Sequence, residues 1–534
     1  MAERSGVKHL YTMVLGRDLS PSVESQDQHR DRRQNVESVT ALCDRRMTTD
    51  DSAAAPVGCC QLFSFKLLSP LIAMATDTAQ GKLQRELADK ITAVAPLDEI
   101  RVLLACGAKV NEPVTQGLRP LHYAVYRNYL DCVRMLLVRG CQVDAQDEVG
   151  YSAMHLCAEH GNQDLLQVLL DHQARVCFVD PEQEKHLFPR DYKCEEPLRL
   201  AVKNNNYECA RLLLENGANP NARYFFGSEI TLVTPSDAKF LHLLLLYGAD
   251  PNAYERDGLT PLMKACRLGD AGLQSVDVLL QFGAYVNAMA LEKQDLRTPL
   301  HYAILSGSLQ MVTLLLMSGA RVNMPGDFDK PSPLDLAVLK GNQAVIKTLL
   351  DRGADVNAVY TYIGSPLHLV CCSEVPSQYH IMRMLLEAGA DPNLAPRFPE
   401  GGRLKTPLVE YVRSCAQPDV DTVRLLLAYG GQVVIRSPLS DPRGHLRTLT
   451  RAVELAPQVF ALLLEAAESF DRNGVERLAL PIDFRMQLID KANSALSLQH
   501  LSRIAVRTSL SPLRPAKIQH LPIPEILRAY LLFE

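Results

Sequence analysis

Histidines and cysteines are the residues of this sequence to consider first for catalysis or metal binding. Imidazole is both a general base and a common metal ligand. Four histidines recur at similar places along the chain: His122, His155, His301 and His368. The 14 cysteines are scattered, and the two close pairs, Cys59-Cys60 and Cys371-Cys372, are adjacent residues, a spacing that suits neither a zinc site nor a redox pair. We therefore expect most cysteines to be buried thiols that pack as small apolar groups.

Motifs that bind nucleotides are missing from the sequence. It has no glycine-rich loop of the P-loop form and no dinucleotide-binding fingerprint, and short Gly-x-x-Gly fragments alone carry no weight. The sequence therefore predicts no cofactor, no metal and no catalytic residue.

Composition narrows the classes of partner. The 534 residues carry 61 acidic and 56 basic side chains, a net charge of −5. This charge does not predict a protein that binds nucleic acid. The longest apolar run, about 240–247, is far shorter than the roughly 20 residues that cross a bilayer. The first residues mix charges and lack the apolar core of a secretory signal. We expect a protein of the cytoplasm or nucleus that contacts neither membrane nor nucleic acid.

The elements that position these residues are internal repeats. A phrase, Leu-Leu-x-x-Gly-Ala-x-x-Asn, recurs at intervals of 31 to 44 residues, and a degenerate copy at 169–174 fills the one long gap. Its glycines are Gly107, Gly140, Gly217, Gly248, Gly283, Gly319, Gly353, Gly389 and Gly430. Intervals centred near 33 residues are typical of the ankyrin repeat.

A second phrase, Ser/Thr-Pro-Leu and often His, with Arg119 before the proline in its first copy, keeps a nearly constant offset from the first. Its prolines are Pro120, Pro261, Pro299, Pro333, Pro366 and Pro407. Serine or threonine caps a helix, and proline suits the first helical position, so a helix begins at each copy. These phrases resemble the ankyrin signature, and each unit is predicted to be two short antiparallel helices followed by a turn.

The ankyrin resemblance implies an all-α solenoid of about ten helix-turn-helix units over residues 66–435, in which the recurring histidine is structural and bonds neighbouring turns. Three places depart from the pattern. The third unit has Gln173 in place of glycine and about eleven extra residues within 178–195, the unit ending at Gly248 lacks the second phrase, and an insertion lies around 397–405. Loop drift and a shaped partner surface are both open explanations.

The carboxyl-terminal part carries a different pattern. Leu498, Leu501, Ser502 and Ala505 give one face of an amphipathic helix, and the segment 521–524, Leu-Pro-Ile-Pro, precedes a final apolar helix. This part resembles a SOCS box, which we place at 491–534 after a helical spacer at 436–490. Residues 1–65 are polar and without a period, and we predict a mostly disordered arm.

The SOCS-box resemblance implies two sets of contacts. The first helix would bind Elongin C, with its companion Elongin B, through Leu498, Leu501, Ser502 and Val506. The second element would select a cullin scaffold with its RING subunit, usually the fifth cullin, through Leu521, Pro522, Ile523 and Pro524. Ser502 departs from the family, which most often has cysteine there, and its hydroxyl needs a partner that a carbonyl one turn back can supply.

An ankyrin solenoid followed by a SOCS box is the domain order of the ankyrin repeat and SOCS box family. The resemblance implies a non-catalytic substrate receptor of an Elongin–cullin–RING ubiquitin ligase, whose repeats hold an unknown protein substrate. The alternative is an ankyrin scaffold or inhibitor whose box, altered at Ser502, no longer recruits Elongin C.

Aromatic residues in the finger loops are the candidate substrate contacts, because exposed aromatics anchor many interfaces. They are Tyr224, Phe225, Phe226, Tyr254, Phe328, Tyr360, Tyr362 and Phe398. The other interpretation is that these rings pack under the insertions or under neighbouring fingers.

Overall fold

A computed structural model describes residues 79–178, 195–224, 227–325, 328, 330–360, 364–397, 404–437, 439, 441–494, 496–510 and 512–534. The arm predicted at 1–65 lies outside these described residues.

Ten consecutive helix pairs make up the solenoid in the described residues. In chain order they are α1 (Ala79–Thr92), α2 (Leu97–Ala105), α3 (Pro120–Tyr126), α4 (Leu130–Val138), α5 (Ala153–His160), α6 (Gln163–Asp171), α7 (Pro197–Lys203), α8 (Tyr207–Glu215), α9 (Glu229–Leu232), α10 (Ala238–Leu246), α11 (Pro261–Arg267), α12 (Leu273–Gln281), α13 (Pro299–Ser306), α14 (Leu309–Met317), α15 (Pro333–Lys340), α16 (Gln343–Asp351), α17 (Pro366–Cys372), α18 (Gln378–Glu387), α19 (Pro407–Ser414) and α20 (Val420–Ala428). Within the described ranges, two 3-10 turns, Gly269–Gly272 and Glu292–Gln294, lie in the connections.

The elements after the tenth pair are shorter and more varied. They are β1 (Val433–Ile435), α21 (Leu449–Leu455), α22 (Pro457–Ala466), β2 (Ala467–Phe470), α23 (Arg472–Glu476), α24 (Ile482–Asn493), α25 (Leu498–Ser509), α26 (Pro515–Gln519) and α27 (Glu525–Leu532). None of the helices in the described ranges has both the length and the apolar character that a membrane span requires.

The second sequence phrase starts the first helix of most pairs, as predicted. Thr298 has extended backbone at the cap of α13, and Pro299 follows at the first helical position. The Thr298 hydroxyl lies 2.7 Å from Nδ1 of His301, which also accepts a hydrogen bond from the Thr298 backbone N–H at 3.1 Å. The phrase therefore fixes where a helix begins because proline, hydroxyl and histidine all act at its first turn.

Stacking of neighbouring pairs buries the core. First helices pack on first helices, as α3 does on α5 and α13 on α15, and second helices pack on second helices. One continuous hydrophobic cluster runs from Leu87 in α1 to Leu488 in α24 and also includes Phe533. A single pair could not bury its apolar face, so each unit depends on its neighbours for stability.

The asparagine of the first phrase links each unit to the next. Asn323 donates from its side-chain amide to the carbonyl of Gly353 at 2.9 Å, and its Oδ1 accepts from the backbone N–H of Asp355 at 2.8 Å. Six other asparagines bond the next phrase glycine in the same way: Asn111, Asn221, Asn252, Asn287, Asn357 and Asn393. The phrase recurs because it joins two successive turns through both ends of one amide.

The fifth unit is irregular where the sequence lacks its second phrase. Its first helix, α9, has only four residues, and Glu229 stands where most other units have proline. The Glu229 carboxylate is fully buried, with Arg199 Nη1 at 3.6 Å, and burial raises its pKa to about 7. Here the stack continues mainly through the second helices, α8, α10 and α12.

An eleventh helix pair extends the stack beyond the last sequence phrase. α21 packs on α19, and α22 packs on α20. Strand β2, which follows α22, runs parallel to β1, with Val434 opposite Ser469 and Ile435 opposite Phe470. These helices lie in the segment predicted as a helical spacer, and the side chains of Val459, Phe460 and Leu463 belong to the solenoid core.

Candidate functional site

One face of α25 is apolar and open. Leu498 is 82% exposed and Leu501 is 48% exposed, and Ala505 is exposed one turn later. The Ser497 hydroxyl caps this helix by accepting from the His500 backbone N–H at 3.1 Å. Two leucines that project from an ordered helix are a recurrent feature of protein contact surfaces.

Ser502 lies on this open face with its hydroxyl satisfied inside the helix. The hydroxyl donates to the carbonyl of Leu498, one turn back, at 2.7 Å. The predicted backbone partner for this serine is confirmed. A serine in this state presents its methylene and a bonded hydroxyl to a partner, so the cost of covering it falls below that of an unpaired polar group.

Val506, the fourth residue predicted to contact Elongin C, does not share the open face. It is half-buried and packs against a small cluster that we call the box core: Leu513, Ile518, Leu531 and Leu532. At about 100° per residue, Val506 is turned some 80° from Leu498. The structure therefore brings Leu498, Leu501 and Ser502 together and directs Val506 into the chain's own interior.

The Leu-Pro-Ile-Pro element alternates between inside and outside. Leu521 and Ile523 are half-buried against the box core, whereas Pro522 and Pro524 are exposed. The Ile523 backbone N–H donates to the carbonyl of Leu521 at 2.8 Å, which closes a tight turn before α27. In this arrangement the two prolines offer a rigid surface, and the two aliphatic residues hold it in place.

Further exposed apolar residues flank that turn, and the sequence analysis did not single them out. Ile526 is 77% exposed and Leu527 is 43% exposed on α27. Their neighbours Leu531 and Leu532 are buried. An amphipathic pattern alone could not separate these pairs, since it shows that a helix has an apolar face and not which apolar residues the chain itself covers.

The recurring histidines are buried and fully engaged in the repeats. His122 Nδ1 accepts from the Arg119 backbone N–H at 3.1 Å, and its Nε2 lies 3.3 Å from the Tyr151 carbonyl of the next unit. His368 bonds Ser365 and Lys405 in the same way. Burial lowers the pKa of both rings. These contacts are the structural role that the ankyrin resemblance implies.

No group of three or more His, Cys, Asp or Glu side chains that could hold a metal ion occurs in the part of the chain that the structure describes.

The finger aromatics are not a uniform exposed row. Tyr254 is 45% exposed, and its hydroxyl donates to the carbonyl of Met289 at 3.0 Å. Phe328 and Tyr360 are each only 8% exposed, which corrects their assignment as open anchors. Phe328 lies against the ring of His301, 6.0 Å between centroids, so the packing alternative holds for it.

The fifth unit covers part of another finger aromatic. Tyr224 is half-buried, with its hydroxyl buried and facing Glu229, and burial raises its pKa well above the usual value. The remaining four predicted residues, Phe225, Phe226, Tyr362 and Phe398, lie outside the described residues. Of the finger aromatics predicted as substrate contacts, Tyr254 is therefore the most exposed one in the described residues, although Tyr285, which the sequence analysis did not single out, is 68% exposed.

Family models match most of the solenoid and the box. Models of ankyrin repeats match residues 92–180, 138–224 and 234–326, and a single-repeat ankyrin model matches 332–360 and 365–395. A SOCS box model matches residues 494–532, which include α25, α26 and α27.

Among curated proteins, human ankyrin repeat and SOCS box protein 16 is 29% identical over 405 residues, 71% of this chain and 85% of that protein. The mouse B-cell lymphoma 3 protein homolog is 34% identical over 223 residues, 41% of this chain and 48% of that protein, so this chain spans about half of that relative. Dog inversin is 28% identical and is matched over 19% of its length.

Two solved ankyrin domains are also similar over part of the chain. The human ASB11 ankyrin repeat domain is 20% identical with a TM-score of 0.35, and it covers 45% of this chain and 98% of its own. The Bcl-3 ankyrin repeat domain is 26% identical with a TM-score of 0.36, covering 43% and 97%.

The matched models and the helix pairs define an all-α ankyrin solenoid followed by a helical SOCS box, and the predicted fold class is confirmed. The chain belongs to the ankyrin repeat and SOCS box family. Both of its domains are adaptor or receptor modules.

Proposed function

We propose that this chain is the substrate-recognition subunit of a cullin–RING ubiquitin ligase. Its SOCS box recruits Elongin C, with Elongin B, and a cullin scaffold, the fifth cullin being the first candidate, with its RING subunit. Its ankyrin repeats hold a protein substrate. The observation that carries the proposal is the open face of Leu498, Leu501 and Ser502 on a helix within a matched SOCS box.

The chemistry of such a receptor is proximity. The ubiquitin-conjugating enzyme supplies the reacting thioester, and the receptor supplies none of the reacting groups. It raises the effective concentration of a substrate lysine near that thioester by holding both on one body. This division of labour agrees with histidines that are buried and bonded inside the repeats.

The test is co-expression of the full chain with Elongin B and Elongin C, followed by affinity purification and addition of the fifth cullin. We expect a stoichiometric complex that takes up the cullin. Pro522→Ala with Pro524→Ala, which changes only exposed side chains, should lower cullin recovery and leave Elongin recovery unchanged.

A folded chain that captures neither partner would favour the scaffold or inhibitor alternative. Ser502→Cys is then the direct rescue, since it restores the family's usual residue on the open face. Capture by this variant would trace the loss to Ser502, and its failure would place the loss elsewhere in the box; in both cases the ligase proposal for the natural chain is removed.

We also propose that the protein works in the cytoplasm or nucleus. No disulfide joins the cysteines of the described ranges, a state that suits a reducing compartment. Fluorescence microscopy of the tagged full chain tests this location.

A further inference from the structure

The SOCS box packs against the last repeats of the solenoid. Helix α27 packs against α20, the second helix of the tenth pair. Ala428 of α20 packs on the box core defined above. Leu513 of the box lies so close to Gly430 that an added Cβ there would be 3.2 Å from the leucine Cβ. The two domains therefore share an interface that includes both backbone and side chains.

Two arginines on α25 cross this interface beneath its open face. The Arg503 side chain is 3% exposed and forms an ion pair with Glu465 of α22, with Nη1 to Oε1 at 3.1 Å. Its guanidinium lies over the rings of Tyr530, 3.8 Å from the centroid, and Phe533, 4.4 Å from the centroid. A buried guanidinium stacked on aromatic faces interacts with them more strongly than an exposed one does.

Arg507 joins the ends of two helices from different domains. It donates to the carbonyl of Leu531 at 2.7 Å and to the carbonyl of Leu427 in α20. Its guanidinium lies 4.8 Å from the centroid of Phe533. Burial and the neighbouring Arg503 lower its pKa to about 10, so it remains charged at neutral pH. A single guanidinium thus donates to carbonyls in the last turn of both helices.

Phe533 is held in a backbone conformation that its side chain disfavours. Its φ is 64°, in the left-handed region that bulky residues rarely adopt, and the residue is 8% exposed. Its carbonyl accepts from Nε of Arg424 in α20 at 2.8 Å. Such a conformation persists only where surrounding contacts enforce it, and here those contacts come from both domains.

We propose that Phe533, Arg503 and Arg507 form a latch that locks the SOCS box in one orientation on the solenoid. The role that we assign to the latch rests on the proposed function as a ligase receptor. A locked box keeps the substrate-holding repeats and the recruited ligase at a constant distance and angle. Leu498 and Leu501 point away from the latch, so opening it leaves the Elongin contact in place.

The first experiment measures amide hydrogen exchange in the full chain without partners, so it does not depend on Elongin binding. Phe533→Ala should speed exchange in α25 and α27 by about tenfold or more while α13 and α15 stay protected. Phe533→Tyr keeps an aromatic ring for both arginines and should retain wild-type protection. Ile526→Ala, which removes an exposed apolar side chain from the same helix, is the matched control and should change nothing.

Arg507→Lys is the second variant and is used if Phe533→Ala yields no folded protein. It keeps the charge but cannot reach both carbonyls with one fork, so exchange in α27 should again rise. Unchanged exchange in α25 and α27 in either folded variant would overturn the latch.

A second readout separates positioning from simple stabilisation. With Elongin B, Elongin C, cullin and RING subunit, the Phe533→Ala receptor should capture its partners in wild-type amounts. Its self-ubiquitination should spread over more lysines than in wild type, whereas Phe533→Tyr should restore the wild-type set. If Phe533→Ala is ubiquitinated on the same lysines as wild type, the proposed positioning role is wrong. If the wild-type chain captures no Elongin, the proposed function fails while the exchange result still decides whether the latch exists.

Discussion

The asparagine of the repeated phrase shows how one side chain can specify an assembly of many units. Its amide donates to the phrase glycine of the next unit and accepts from a backbone N–H two residues further on. In the link from the second unit to the degenerate third unit, Asp144 stands in place of asparagine and keeps the accepting half by accepting from the Arg175 N–H at 2.7 Å. An aspartate cannot donate, so that link keeps only one of its two bonds.

Asn323 is a direct test of this link. Asn323→Ala removes both bonds, and we expect it to lower the free energy of unfolding by about 1–3 kcal/mol. Asn323→Asp keeps only the accepting oxygen and should fall between wild type and alanine. Urea denaturation followed by circular dichroism measures both, and equal stability of all three proteins would contradict the role of the bond.

At the scale of the element, α25 serves two surfaces at once. Leu498, Leu501 and Ser502 lie outside, while Arg503 and Val506 turn toward the rest of the chain. The amphipathic pattern in the sequence predicted one apolar face. The structure shows a second, covered face that carries Arg503, Val506 and Arg507, because the solenoid and α27 pack against it.

Leu498→Asp tests the outer surface of α25. Because Leu498 is 82% exposed, we expect an unchanged melting temperature and the loss of Elongin C capture, since a charge would enter an apolar contact. Gln499→Asp is the matched control, since it places the same charge on a neighbouring exposed position. Co-purification from cells that express Elongin B and Elongin C measures capture, and retained capture by Leu498→Asp would show that another face is used.

At the scale of the whole molecule, buried ionisable groups set the response to acid. Five histidines are buried in the described ranges: His122, His155, His301, His368 and His445. Burial lowers the pKa of each, to about 4 for His155 and to about 3 for His301 and His445. The unfolded chain binds these protons near pH 6.5 and the native chain does not, so their contribution to stability is lost as pH falls below about 6.5.

Two buried carboxyls act in the opposite sense. Burial raises the pKa of Glu229 and of Asp335 to about 7. The native state therefore holds these two protons between about pH 4 and pH 7, where the unfolded chain releases them, and their contribution to stability falls as pH rises through that range. Five histidines outweigh two carboxyls, so the net effect of acid is loss of stability.

We accordingly expect the urea concentration at the unfolding midpoint to decrease when the pH is lowered from 7 to 5. Each net proton changes the free energy of unfolding by about 1.4 kcal/mol per pH unit. Glu229→Gln removes one opposing carboxyl, so it should be more stable than wild type at pH 8 and lose stability more steeply on acidification. A midpoint that rises toward pH 5 would contradict this balance.

The sequence by itself determined the repeat architecture, because the residues that start, stop and link each helix pair act within one or two turns. Proline and hydroxyl caps, phrase glycines and bridging asparagines such as Asn323 are all local signals with a regular period. The same holds for the helix of Leu498 and for the bonded hydroxyl of Ser502, whose partner lies four residues away.

Tertiary structure alone decided which apolar residues the chain keeps for itself. Val506, Phe328 and Tyr360 turn inward, and α21 and α22 join the stack although no sequence phrase marks them. Burial depends on neighbours that are distant in sequence, as when Arg507 reaches Leu427 or Phe533 meets Arg424. Side-chain type and spacing record an element's own geometry, but only packing determines which face of it remains open.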